Sequence, residues 1–149
     1  VAELDESIDL DIPRSLSFLA EVIVEAAFHF SLRFVTDYLE LNADLENFFG
    51  IIAYGNLASQ DLHYESDLDL VFVYLEQPAY SSEIFVRVAQ RMIHLLSTQT
   101  LSGKLYEVDV RLRPGGRAGL LATSFESYQK YYSDQAWLWE YQALIRSRV

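Results

Sequence analysis

Three observations predict an α+β fold in which a long helical segment precedes a small sheet. Apolar residues keep steps of three and four across residues 15–47 and again across 82–98. Short apolar runs at 51–54 and 67–75 have the length and composition of strands. A third such run, Leu105-Tyr106-Glu107-Val108-Asp109-Val110-Arg111-Leu112, follows the second helix. The predicted order is helix, strand, strand, helix, strand, helix, helix.

Residues 1–14, with Glu3, Asp5, Glu6, Asp9 and Asp11 ahead of Pro13, read as an acidic lead or linker with little structure. Leu16, Leu19, Ile23, Ala26, Ala27, Phe30, Phe34, Val35 and Tyr38 then mark one long amphipathic helix or two in tandem, closed by Phe48-Phe49-Gly50. Residues 15–50 thus form a helical segment ahead of a core at 51–149. Within that core, Ile51 to Tyr54 is a short strand and Gly55-Asn56 opens a turn towards the strand at 67–75. Ile84, Phe85, Val88, Ala89, Met92, Ile93 and Leu96 define the next helix, and Ser102-Gly103-Lys104 is a turn. Thr123-Ser124-Phe125-Glu126 has the form of a capping box, and a last aromatic helix is expected over 134–148. The helical pattern runs to the last residue without a stop signal, so a longer protein is expected.

Composition bounds the function. The chain has 149 residues, 51% of them hydrophobic and 14% aromatic, enough for one packed domain. Absence of cysteine excludes disulfides and thiolate metal sites. No run of 18 uncharged apolar residues and no basic-then-apolar leader occurs, which predicts a cytoplasmic protein without a membrane partner. The net charge is −11, and residues 1–50 carry eleven acids and two bases against eleven and nine in the remainder. Such a chain gains little from counterion release and is not expected to bind nucleic acid.

The chemistry concentrates in Ser66-Asp67-Leu68-Asp69-Leu70. On a strand, Asp67 and Asp69 project to one face while Leu68 and Leu70 pack on the other. An isolated D-x-D is more often a solvated strand start. Here it opens a strongly apolar strand, where carboxylates need a partner such as a divalent cation. The later run would place Glu107, Asp109, Arg111 and Arg113 on one strand face, a third carboxylate beside two phosphate-binding cations. Ser66 can offer its hydroxyl to a phosphate or cap the turn. His29, His63 and His94 share no spacing, and Trp137, Trp139 and Tyr141 suit packing better than base stacking.

A glycine turn followed about ten residues later by D-x-D resembles the polymerase-β-like nucleotidyltransferases. That resemblance implies a small mixed sheet with helices packed on one side, and Asp67, Asp69 and Asp109 as ligands of two Mg²⁺ ions. It narrows further. Ala53-Tyr54-Gly55, Tyr64, Ser66 to Phe72, Gln90 to Leu96, Leu105 to Pro114, Gly119-Leu120 and the Trp139 to Arg148 run are similar, in order, to the glutamine synthetase adenylyltransferases. The family resemblance implies a bifunctional enzyme of nitrogen metabolism, with ATP as substrate and glutamine synthetase as protein substrate. It also implies the PII signal protein and glutamine as effectors. Ala53-Tyr54-Gly55 and Glu107 resemble the C-terminal half, which attaches AMP to a tyrosine, with Asp109 assisting deprotonation of its hydroxyl. The alternatives are the phosphorolytic, deadenylylating half and a regulatory module with weakened catalysis. Gly55, Asn56, Ser66, Arg111 and Arg113 would then face the nucleotide. One turn departs from the pattern: the family's G-K-L-G-G reads Gly55-Asn56-Leu57-Ala58-Ser59, which removes a cation and two glycines from the phosphate side.

Overall fold

The computed structural model describes residues 11–42 and 44–149, so the acidic lead over residues 1–10 lies outside the described residues. Its expected continuation to residue 14 is corrected. Helix α1 spans Ile12–Tyr38, because the Asp11 carboxylate accepts the Arg14 N–H at 3.1 Å and Pro13 sits in the first turn, where a missing N–H costs nothing. It is one helix, not two in tandem. Its buried face is Ser17, Ala20, Val24, Ala27, Phe28, Ser31 and Val35. Phe30, Phe34 and Tyr38, expected on that face, are exposed, so the apolar stripe is wider than the core it covers.

Strand β1 (Phe49–Tyr54) begins where the helix was expected to close, since Phe49 pairs with Tyr74. Short helix α2 (Gly55–Ala58) leads to β2 (Leu68–Tyr74), antiparallel to β1 in the register Ile51↔Phe72 and Ala53↔Leu70. Helix α3 (Ser82–Ser97) carries the chain to β3 (Val108–Asp109), which runs parallel to the start of β2, and β4 (Ala122–Ser124), which runs parallel to its end. Helices α4 (Phe125–Asp134) and α5 (Leu138–Ile145) follow. Strand β5 (Ser147–Arg148) then pairs with Ala53 and Tyr54 of β1. The sheet is small and mixed, as an α+β fold requires.

Helices cover both faces of this sheet, which corrects the expected one-sided packing. Leu68, Leu70, Phe72 and Tyr74 pack against α1 and α3, while Ile52, Tyr54, Val71 and Val73 pack against Tyr128 and Tyr132 of α4 and Leu144 of α5. The alternation of β2 explains both layers: five of its seven residues are apolar aliphatic or phenylalanine, so each face needs a cover. Burial of each large side chain such as Phe72 or Phe85 contributes about 1.5–3 kcal/mol.

Three further boundaries differ from expectation. Thr123 is paired with Val73, so the cap of α4 moves to Ser124, whose hydroxyl accepts the Ser127 N–H at 3.3 Å. The expected last helix over 134–148 breaks at residues 135–137, and its end leaves the helix to supply β1 with an edge partner. The strand expected over residues 105–112 is reduced to Val108–Asp109.

Candidate functional site

The site is built at the start of β2, where the chain leaves β1 through Gly55. That residue has φ +60°, and a Cβ placed on it would lie 2.7 Å from Asp69 Oδ2. Only glycine serves both demands, a left-handed backbone and a carboxylate against the Cα. Asp69 in turn is paired in register with Asp109 of β3, and the Leu68 N–H donates to the Glu107 carbonyl at 2.9 Å. The parallel pairing therefore holds these two carboxylates side by side. Asp67 precedes the strand.

The electrostatics follow from that crowding. Burial pushes the Asp69 carboxyl above the usual carboxylate range, and the charges of Asp109 and Asp67 add to the rise. Asp109 moves the other way. Hydrogen bonds from Arg111 hold it below the usual range, with the backbone N–H at 2.8 Å from Oδ1 and Nε at 2.6 Å from Oδ2. Arg111 is itself largely exposed and completes an ion pair with Asp109. Asp67, Asp109, Arg111, Arg113 and Arg117 line an open depression of about 440 Å³.

The single strand face expected for Glu107, Asp109, Arg111 and Arg113 does not form, because the chain turns after Asp109. Arg111 nevertheless folds back onto Asp109. Glu107 makes an ion pair with Lys104. Arg113 is a brace for the following loop: Nη1 donates to the Val110 carbonyl at 2.7 Å, Nε to Gly119 at 3.2 Å and Nη2 to Arg117 at 3.2 Å. Asn56 Nδ2 lies 3.5 Å from Ser66 Oγ, and that hydroxyl also accepts the His63 N–H at 3.0 Å. Ser66 thus closes the loop between α2 and β2 through two accepted hydrogen bonds. Ser59, where a relative's glycine was expected, has a right-handed backbone at φ −81° and needs no glycine there.

One contributor was not legible in the sequence. The Gly55 N–H donates to the Arg146 carbonyl at 3.1 Å, and Arg146 Nη2 donates to Ser59 Oγ at 2.8 Å, while Ser59 Oγ donates to the Gly55 carbonyl at 2.6 Å. Arg146 stands in the Trp139 to Arg148 run, but that run does not show that its end returns to β1 and the Gly55 turn.

The chemistry of the donor set suits a divalent cation: Asp69 sits in a glycine cradle and carries the repulsion of two neighbouring carboxylates. As the side chains stand, no three metal-ligating groups converge on one point among the described residues, and Asp109 is turned onto Arg111.

The family model for glutamate-ammonia ligase adenylyltransferase matches residues 3–149. The chain belongs to this family. Relatives named bifunctional glutamine synthetase adenylyltransferase/adenylyl-removing enzyme include those of Aromatoleum aromaticum and Bordetella pertussis, 44% and 43% identical over 89% of this chain. That of Alteromonas mediterranea is 39% identical over 99% of it. The matches cover 14–16% of each relative, so the chain spans about one-seventh of the length of these adenylyltransferases. Among the described residues no helix is long and apolar enough to cross a membrane.

Proposed function

We propose that the chain from β1 to β5 forms a nucleotidyltransferase unit of the polymerase-β-like kind, with helix α1 as its helical support. It transfers AMP from ATP to a tyrosine of glutamine synthetase as part of a longer bifunctional protein. The observation that carries this reading is the parallel pairing that sets Asp69 beside Asp109 with Gly55 against the Asp69 carboxylate.

Asp67, Asp69 and Asp109 would hold two Mg²⁺ ions. Bound there, the ions supply charge neutralisation and Lewis acidity for displacement at the α-phosphorus. The chain's own groups do the rest. Gly55 lets the turn pass close to the carboxylates, and Arg111 exchanges its grip on Asp109 for the polyphosphate. Asp109 would assist deprotonation of the tyrosine hydroxyl, directly or through a bound ion. Arg113 acts through the loop that carries Arg117, and Ser66 orders the segment bearing Asn56. PII and glutamine act as effectors elsewhere in the longer protein.

The test uses the full polypeptide that carries this domain, with ATP labelled at the α-phosphate and glutamine synthetase as acceptor. Labelled AMP should appear on a tyrosine and vanish in the Asp109→Asn variant. Full activity in that variant would sink the assignment. Release of AMP from modified glutamine synthetase, dependent on inorganic phosphate and lost in the same variant, would assign the domain to the deadenylylating half instead.

A further inference from the structure

A second cluster lies away from this cleft, between the C-terminal half of α1 and α3. Arg87, Gln90, Arg91 and His94 recur at spacings of three and four and share one face of α3, opposite Phe34 and Tyr38 of α1. Together they line a cavity of about 350 Å³, the lower end of the range for small-molecule sites.

Its charge is unusual for this chain. In a protein of net charge −11, no carboxylate comes within 4 Å of the Arg87 or Arg91 guanidinium among the described residues. Arg91 lies over the Phe34 ring with Cζ 4.2 Å from its centroid, and its Nε is shielded from solvent with no hydrogen-bond partner. A buried N–H without a partner is costly, and the ring face compensates the charge without accepting that hydrogen. The guanidinium is therefore held over the ring beside an open cavity, with Nε shielded and unpaired. His94 lines the same cavity, its ring tethered through Nδ1 to Thr98 Oγ1 at 3.3 Å.

We propose that this cavity binds a small anion, a carboxylate or phosphate attached to a flat apolar body. Arg87 and Arg91 take the anionic group by charge-assisted hydrogen bonds, and Phe34 and Tyr38 take the apolar part, with His94 as part of the wall. Nothing in this assignment depends on the nucleotidyltransferase reading.

The experiment follows the arginine Nε–Hε signals of the labelled protein by NMR during titration with phenyl phosphate, benzoate and inorganic phosphate. Phenyl phosphate or benzoate should shift the Arg91 and Arg87 signals saturably. Arg91→Gln should weaken the better of the two at least tenfold. Arg87→Gln, at an exposed position that leaves the Phe34 stack intact, should weaken it several-fold and guards against misfolding of the first variant. Shifts confined to Arg111, affinity unchanged in Arg87→Gln, or no saturable shift at α3 would each overturn the assignment. Inorganic phosphate binding as tightly as phenyl phosphate would overturn the ligand class, because the aromatic wall would then contribute nothing.

Discussion

Gly55→Ala separates the two demands placed on this position. The backbone there has φ +60°, and a side chain in that region costs on the order of 1–3 kcal/mol. The added Cβ would also stand 2.7 Å from Asp69 Oδ2, closer than atoms tolerate, so the Asp69 side chain must rotate away. For a chain of this size each kcal/mol lowers Tm by about 2–4 °C, so the backbone strain predicts a fall of roughly 2–12 °C. The rotation should weaken Mg-ATP binding in addition. Thermal melting of the single variant, of Asp69→Ala and of the double variant resolves the two parts: the backbone cost persists in the double variant, whereas the contact with the carboxylate disappears. Additive melting shifts with unaltered Mg-ATP affinity in Gly55→Ala would refute the cradle.

The two paired carboxylates should respond oppositely to pH and to neutralisation. Asp69 has a raised folded pKa, so its ionisation costs stability as pH climbs from the ordinary carboxylate range through that raised value, and metal-free Asp69→Asn should melt higher at neutral pH. Asp109 has a depressed one, so its contribution is present above the ordinary range and lost as pH falls through the lowered value; Asp109→Asn should melt lower at neutral pH. Denaturation curves at pH 3 to 8 check both signs, and a shared direction would contradict the electrostatics of the pair. Asn56→Lys should tighten Mg-ATP binding by about 1–3 kcal/mol, roughly 5- to 150-fold, less at high salt. Calorimetric titration at two ionic strengths measures it. An unchanged constant would mean that residue 56 is turned permanently towards Ser66.

Much of this protein was legible in the residues themselves. The two long helices, the β1 and β2 runs and the D-x-D pair follow from periodicities that local geometry imposes, and the ordered motifs from Ala53 to Arg148 were sufficient to place the chain in its family. What periodicity cannot encode is which partner a segment meets. Residues 105–112 alternate like a strand, yet only Val108 and Asp109 find a neighbour on β2, and Arg113 braces the loop that follows. The end of the last helix was decided by the unpaired edge of β1, and the second helical layer by Ile52, Val71 and Val73, which had to be covered by Tyr128 and Tyr132. The site shows the same division. Sequence spacing suggested Asp67 and Asp69 as a pair, because a strand repeats every two residues, although β2 begins only at Leu68. Only the tertiary structure placed Asp109 in register with Asp69 and raised the Asp69 pKa by burial, since that pairing joins segments forty residues apart, whereas the Arg111 hydrogen bonds that lower Asp109 come from two residues along the same chain segment.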